Sequence, residues 1–344
     1  MHHALRYALL LLLAVSAFVA RAADQPLTRI AFGSCSDQAK PQVIWNAIID
    51  TRPELWLWLG DNIYADTHQM DVMKADYEKL ASFPGYRALR KNARIEAIWD
   101  DHDYGENDAG RSYREKQASQ RLFLDFFDEP QDSDRRKTEG IYAEREIGPA
   151  DQRIQLILLD TRYFRSAWTP SAHPDRRYDK DESPDATMLG ETQWRWLAQQ
   201  LEKPAKLRLI ASGIQVINDD HGYETWGNFP RERKRLFDLI QGTRAAGVII
   251  LSGDRHFAEI SKMMLDYPLY DVTSSGMTHS FAEGAETTNH YREGKAYGGF
   301  NFGTLQIDWR QADPEITVDL RDVDGKPRVQ KRIRLSELQP RGSK

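Results

Sequence analysis

Four short apolar segments of this chain are each followed directly by side chains that bind metals. The clearest is Leu55–Leu59, the run LWLWL, which is typical of a buried strand and leads into Asp61 and Tyr64. A carboxylate at the carboxyl end of such a strand lies where open α/β sheets bind their ligands. Tyr64 can turn back toward the same point. An Asp–Tyr oxygen pair is unusual, and hard ferric iron is one cation that favours it.

The other three strand ends carry the same kinds of side chain. The segment Thr28–Gly33 is followed by Cys35. The segment Arg94–Trp99 is followed by Asp100, Asp101, His102, Asp103 and Asn107, and the segment Gly247–Leu251 is followed by Asp254 and His256. Turn formation explains an isolated Asp or Asn at a strand end. Clustered carboxylates, however, repel one another unless a cation compensates. Oxygen, nitrogen and sulfur ligands together predict a transition metal beside a harder cation.

The order of the segments predicts an α/β fold. Strands alternate with helices up to about residue 256, and mostly strands follow, around 257–264, 269–273, 303–309, 316–321 and 328–335. This order predicts two sheets with helices outside them, in one domain without a clear linker. The polar, proline-containing segment 168–184 is a long loop, and loops of that length are often functional.

The first residues have the pattern of an export signal. Arg6 precedes the apolar run 8–20, and Ala20 and Ala22 supply the small residues that a signal peptidase reads. The run is shorter than the roughly 20 apolar residues that span a bilayer. We therefore expect a cleaved Sec-type signal at residues 1–22, no stable span in the mature protein, and a secreted or periplasmic location. An uncleaved anchor is the alternative.

Charge and cysteine content narrow the function. The net charge is −5 and long basic runs are missing, which argues against a nucleic-acid partner. Cys35 is the one cysteine of the sequence, so an exported protein of this kind has no internal disulfide. A buried Cys is often a small apolar residue. Its place at a strand end beside the other ligand types favours a metal ligand instead.

The combined motifs resemble those of the PhoD-like phosphatases (alkaline phosphatase D) of the calcineurin-like metallophosphatase superfamily. They are the strand-end Cys35, the Gly-Asp-Asn-Ile-Tyr of 60–64, the Trp-Asp-Asp-His-Asp of 99–103, the Leu-Asp-Thr-Arg of 159–162 and the Ser-Gly-Asp-Arg-His of 252–256. The resemblance extends over about residues 28–275. It implies a four-layer α/β/β/α sandwich of two mixed sheets flanked by helices, as one domain over residues 27–340.

The resemblance also implies a ligand for each metal in a binuclear or larger cluster. Ferric iron would take Cys35, Asp61, Tyr64 and His256, and Ca²⁺ or another divalent ion would take Asp100, Asn107 and Asp254, with Asp61 as the bridge. Aligning the motif on its histidine makes Asp101 the ligand instead. Asp100 is our expectation, and Asp101 is held in reserve.

The implied activity is hydrolysis of small phosphate mono- or diesters by a metal-activated hydroxide that attacks phosphorus. We expect His102 to protonate the leaving oxygen or stabilise the transition state, or else to orient a neighbouring carboxylate. Arg162 is a candidate phosphate clamp, or else an ion-pair partner of Asp160 or a neighbour. Alternation along an extended strand predicts that Arg255 points away from the site.

Two features depart from the family pattern. No twin-arginine pair precedes the apolar run, which implies metal loading after export, and we recognise no separate N-terminal β domain before the first metal-bearing strand. Alternative functions are a phospholipase D-like or teichoic-acid-type phosphodiesterase that uses the same site, or a non-catalytic, metal-stabilised binding protein. The sequence leaves the oligomeric state undetermined.

Overall fold

Two six-stranded mixed sheets form the centre of the structure, a computed structural model that describes residues 25–219 and 221–342. The predicted signal segment lies outside these residues. The strands are β1 (Arg29–Gly33), β2 (Leu55–Leu59), β3 (Arg94–Ile98), β4 (Ala143–Ile147), β5 (Ile154–Leu158), β6 (Thr169–Pro170), β7 (Tyr178–Asp179), β8 (Leu207–Ser212), β9 (Val248–Ser252), β10 (Ala258–Met264), β11 (Pro268–Ser274), β12 (Phe302–Asp308), β13 (Glu315–Arg321) and β14 (Pro327–Arg334).

The two sheets have similar layouts. The first has the order β14-β13-β12-β1-β2-β3, and the second has the order β10-β11-β9-β8-β5-β4. Neighbouring strands are parallel from β1 to β3 in the first sheet and from β11 to β5 in the second. The outer strands pair antiparallel. Every residue of β2, β5, β8 and β9 is buried, as expected for parallel strands covered on both faces.

Helices cover the outer faces of the sheets. They are α1 (Trp45–Asp50), α2 (Met70–Ser82), α3 (Pro84–Asn92), α4 (Asp101–Tyr104), α5 (Lys116–Phe126), α6 (Gly190–Leu201), α7 (Pro230–Gly242) and α8 (Ala282–Ala285). Both α3 and α7 begin with proline, which suits the first helical position because it needs no N–H there. Across the described ranges, no helix has the length and apolar character needed to cross a membrane.

The predicted fold class is confirmed. Each strand expected from the sequence is present, with ends that shift by at most three residues. The segment predicted as a long loop contains the two-stranded pair β6–β7. The short helix α4 was not expected, and it carries part of the predicted ligand set. Its place directly after β3 matters for the site.

Candidate metal centre

Four of the predicted ligands have a backbone conformation that side-chain-bearing residues rarely adopt. The φ angles are 60° at Cys35, 49° at Asp61, 68° at Asp254 and 58° at His256. Each such conformation costs on the order of 1–3 kcal/mol and persists only where the surroundings impose it. Gly60 permits the close approach of two loops, because a Cβ there would lie 2.4 Å from that of Asp100. The strand ends are therefore shaped to bring their side chains together.

Asp61 lies at the centre of the cluster. Its Oδ2 is 3.3 Å from Cys35 Sγ and 3.4 Å from the Tyr64 hydroxyl. The Tyr64 hydroxyl is in turn 3.1 Å from His256 Nε2. Three potential ligand atoms, one each from Cys35, Asp61 and His256, lie within 4.8 Å of one another. The structure thus brings together all four residues predicted to hold the first metal.

A second group of potential metal ligands also includes Asp61. Ligand atoms of Asp61, Asp101 and His102 also lie within 4.8 Å of one another. A cavity of about 170 Å³ is lined by Asp61 and Asp101 and also by the predicted ligands Asn107 and Asp254. Asp61 thus belongs to both groups of potential ligand atoms.

Three buried carboxylate oxygens in and beside this cavity test whether a cation fits. Asp100 Oδ2, Asp101 Oδ1 and Asp254 Oδ2 have no hydrogen-bond partner among the described residues. Buried polar atoms are almost always partnered, so such exceptions require an explanation. Oxygen atoms without donors are the ligands that hard divalent cations prefer. The residues of the second group therefore fit a bound cation.

Asp100 and Asp101 have different environments. Asp100 is fully buried, and its Oδ1 accepts a 2.7 Å hydrogen bond from Arg162 Nε. It does not line the cavity, whereas Asp101 does. Asp100 precedes α4 as its N-cap, and Asp101 is the first residue of that helix. One carboxylate oxygen of each residue lies within 4.8 Å of one of the other, but it is the reserve candidate, Asp101, that lines the cavity.

The electrostatics of the cluster favour a cation. Burial, with the nearby Cys35 and Asp101, raises the pKa of Asp61 well above its usual range. Burial also raises the pKa of the Cys35 thiol to about 11. Burial, followed by His279 and Arg255, lowers the pKa of His256 to about 3, so its imidazole is neutral as metal binding requires. A bound cation would reverse the shifts at the two anionic groups, because it supplies the missing positive charge.

Two neighbouring side chains hold the imidazole of His102 in place. Its Nδ1 is 2.8 Å from Asp66 Oδ2, and its ring stacks on Tyr64 with centroids 4.2 Å apart. Burial lowers the pKa of His102, but Asp101, Asp61 and Asp66 outweigh that effect and raise the pKa to about 11. Both neighbours fix the orientation of the imidazole.

Arg162 is fully engaged by carboxylates. Its guanidinium donates to Asp100 at 2.7 Å and to the two oxygens of Glu224 at 2.6 and 2.8 Å. The side chain is completely buried and does not line the cavity. Of the two alternatives for Arg162, the structure contains the ion pair with a neighbour. That neighbour is Asp100 rather than Asp160.

The prediction that Arg255 points away from the site is wrong. Arg255 lines the cavity together with Asp254 and His256. The expectation assumed an extended strand, in which adjacent side chains alternate between faces. β9 ends at Ser252, and the left-handed φ angles of Asp254 and His256 interrupt the alternation.

Sequence reasoning missed Glu224, a buried acid that lines the cavity and lies within 4.8 Å of Asp100 and Asp101. It also missed His279, whose ring lies 5.3 Å from that of His256 and 4.6 Å from that of Tyr64. Both lie in loops without a recognisable motif. An acid or histidine in such a loop has no sequence signal that separates it from a surface residue.

Comparison with known proteins gives a consistent result. Residues 30–312 match the family model of PhoD-like phosphatases. Alkaline phosphatase D of Bacillus subtilis (strain 168) is 25% identical over 119 residues. That alignment covers 32% of this chain and only 20% of the relative.

Solved structures with a similar fold were also found. A structure of PhoD matches with a TM-score of 0.64 and 17% identity, over 93% of this chain and 74% of that one. GAP50, described as the anchor in the inner membrane complex of Plasmodium, matches with a TM-score of 0.59 and 13% identity, over 93% and 91% of the two chains. A dimetal phosphatase from Danio rerio matches with a TM-score of 0.56 and 13% identity, over 90% of this chain and 100% of that one. At these identities the likeness concerns the fold alone.

Proposed function

Because this chain belongs to the PhoD-like phosphatase family, we propose that it is an exported metal-dependent phosphoesterase that hydrolyses phosphate mono- or diesters. The observation that carries the proposal is the meeting of two groups of ligand atoms at Asp61. We further propose that residues 27–340 form one metallophosphatase domain and that residues 1–22 direct its export.

The first group suits iron. A thiolate from Cys35, a phenolate from Tyr64 and a carboxylate from Asp61 supply three negative charges, which favour a trivalent cation over a divalent one. His256 adds a neutral nitrogen ligand. We propose Fe³⁺ at this position, and the 3.1–3.4 Å separations around Asp61 and Tyr64 support it.

The second group suits Ca²⁺ or another divalent ion. We propose that Asp101, Asn107 and Asp254 hold it together with Asp61. The unpartnered oxygens of Asp101 and Asp254 support this set. A supporting role is favoured for Asp100, because its Oδ1 is engaged by Arg162 and the residue does not line the cavity.

The residues around the cavity suit phosphoryl transfer. Two bound cations would supply positive charge to the phosphate oxygens and would lower the pKa of a water molecule. His102 is our candidate for the proton donor to the leaving oxygen. Since its Nδ1 faces Asp66, its Nε2 is the nitrogen left for that transfer. Arg162 fixes Asp100 and Glu224, and so supports the wall behind the second group.

The other functions have less support. The fold is shared with an anchor protein, so the fold alone does not imply hydrolysis. A complete set of ligands around Asp61 argues for a catalytic protein, because a purely structural role does not require it. A lipid or polymer diester would use the same site, and a direct comparison of esters separates these cases.

The test is an assay of the purified, metal-replete protein on p-nitrophenyl phosphate and bis-p-nitrophenyl phosphate, before and after removal of metal with a chelator. We expect hydrolysis of at least one ester, its loss on chelation, and its return when iron and Ca²⁺ are added back. Asp134→Ala is a suitable control for handling, because Asp134 is 95% exposed. Full activity in the metal-free protein would contradict the proposal.

A further inference from the structure

Two guanidinium groups line the cavity within the described residues, those of Arg177 and Arg255. Arg177 is half exposed, and its Nη2 is 2.5 Å from Asp108 Oδ2, so its charge is already matched. Arg255 is only 7% exposed, and its Nε has no hydrogen-bond partner among the described residues. A buried guanidinium with an unused donor indicates that a ligand completes the site.

The nearest carboxylate does not satisfy Arg255. Asp254 Oδ2 is 3.5 Å from Arg255 Nη1, which is long for a charged hydrogen bond. Asp254 is also a proposed ligand of the second metal. With a cation bound there, the carboxylate charge of Asp254 is directed to the metal, and the guanidinium is free to bind a different anion.

Aromatic contacts hold the guanidinium in the wall of the cavity. The guanidinium carbon of Arg255 lies 4.6 Å from the centre of the Tyr223 ring and 5.9 Å from that of Phe257. Such cation–π contacts restrict an arginine without using its N–H donors. Tyr223 itself is 40% exposed at the rim. Arg255 is therefore oriented while its hydrogen-bonding capacity remains available.

The size of the cavity limits what Arg255 can contact. At about 170 Å³ it is smaller than the roughly 300–1,000 Å³ of pockets that enclose a drug-sized molecule. A phosphoryl group fits, while a large alcohol portion must extend past the rim. A guanidinium presents parallel donors that match two phosphate oxygens.

We propose that Arg255 binds the phosphoryl group of the substrate and that Tyr223 positions its guanidinium. This proposal rests on the phosphoesterase function proposed above. Two other arginines near the centre, Arg162 and Arg165, are fully buried but do not line the cavity. The guanidinium of Arg162 donates to carboxylates and the Nη atoms of Arg165 donate to backbone carbonyls, whereas Arg255 lines the cavity and is therefore favoured as the phosphate ligand. Arg255 lines the same cavity as Asp254 and His256, the proposed metal ligands on either side of it in the sequence.

The test uses metal-replete wild-type, Arg255→Gln, Arg255→Lys and Tyr223→Leu proteins, with an aryl phosphate ester as substrate and inorganic phosphate as inhibitor. Loss of a charged hydrogen bond predicts that KM and the inhibition constant of phosphate each rise about 10- to 100-fold in Arg255→Gln. Arg255→Lys should recover part of the loss, and Tyr223→Leu should raise both constants severalfold. Metal content should equal that of the wild type in every variant.

Arg310→Gln is the matched control, because Arg310 is 90% exposed and pairs with Asp308 on the surface. It should leave KM and phosphate inhibition unchanged. An inactive wild-type protein would refute the phosphoesterase function itself. If the wild type is active and Arg255→Gln has a KM and a phosphate inhibition constant within twofold of the wild-type values, only the role of Arg255 is overturned. Loss of metal from Arg255→Gln would overturn that role as well. If Arg255→Gln does not fold, unchanged constants in Tyr223→Leu would overturn it.

Discussion

The carboxylate of Asp103 holds the backbone of Asp61 in place: its Oδ1 accepts the Asp61 N–H at 3.1 Å. The same oxygen accepts the N–H of Asp100 at 2.7 Å, and Oδ2 accepts from Asn62. Asp103 is fully buried and touches no cavity surface. It therefore ties the loop after β2 to the loop after β3, and so fixes the distance between the two groups of ligands.

Asp103→Asn should disturb both the fold and the metal groups. The new amide places an N–H₂ against backbone N–H donors, which leaves buried groups unpaired at a cost of about 1–3 kcal/mol each. We expect a lower free energy of unfolding in denaturant titrations and a lower metal content by elemental analysis. Wild-type values for both would show that Asp103 does not position Asp61.

Asp66→Asn should separate catalysis from metal binding. Asp66 contacts His102 but belongs to neither group of ligands around Asp61. Loss of such an orienting carboxylate typically costs 10- to 100-fold in activity. We expect kcat to fall by about that factor while metal content stays at the wild-type level.

The corresponding control is His173→Gln, because His173 is 61% exposed and lies on the surface. It should leave kcat unchanged. His102→Gln should lose more than Asp66→Asn, by about 10²- to 10⁴-fold, if His102 transfers a proton. Equal activity of Asp66→Asn and the wild type would exclude an orienting role for Asp66.

Asp101→Asn should mainly lower the metal content, whereas Asp100→Asn should mainly lower the stability. Asp101 lines the cavity, so Asp101→Asn should lower the content of the divalent metal with little loss of stability. Asp100 pairs with buried Arg162, and Asp100→Asn should lower the free energy of unfolding by about 1–3 kcal/mol because the Arg162 guanidinium loses one of its carboxylate partners. If Asp100→Asn loses the divalent metal and Asp101→Asn keeps it, the ligand is Asp100 and not Asp101.

The strand ends that carry ligands were predictable from the sequence. The runs that form β2 and β9 are apolar throughout, and metal-binding side chains follow them directly. Parallel strands bring their carboxyl ends to one edge of a sheet, so Cys35 and Asp61, which follow neighbouring strands of the first sheet, were expected to meet. Asp254 follows β9 of the second sheet, so its approach to them also depends on how the two sheets are arranged.

The orientation of single side chains was not predictable. Asp101 turns toward the cavity because a four-residue helix begins there, and so short a helix has no periodicity to recognise. Arg255 lines the cavity because Asp254 and His256 have left-handed backbones. Such conformations in residues other than glycine are imposed by tertiary contacts and leave no mark in the sequence.

A buried ion-pair network away from the site predicts a pH-dependent effect on stability. Glu129 Oε2 is 2.8 Å from Arg145 and 3.3 Å from Arg135. Burial raises the pKa of Glu129, but the two arginines outweigh it and lower the pKa below its usual value. The pair therefore stabilises the fold above the unfolded pKa of about 4.3, and this contribution is lost as the pH falls through the lower folded pKa.

Glu129→Gln should lower the free energy of unfolding by about 1–3 kcal/mol at pH 7, because buried Arg135 and partly buried Arg145 lose their shared carboxylate. The difference from the wild type should shrink as the pH is lowered below 4. Denaturant titrations at several pH values measure it. A difference that stays constant with pH would mean that the charge of Glu129 does not stabilise the fold.

The most direct test of the metal centre is elemental analysis of the purified wild-type and Asp61→Ala proteins, with Asp134→Ala as the control. The account predicts iron and a divalent metal at near one each per chain in the wild type and the control, and loss of both from Asp61→Ala, because Asp61 joins both groups of ligands. Phosphate-ester hydrolysis should disappear with the metals. A wild-type protein that is active without bound metal, or an Asp61→Ala protein that keeps both metals and full activity, would contradict it.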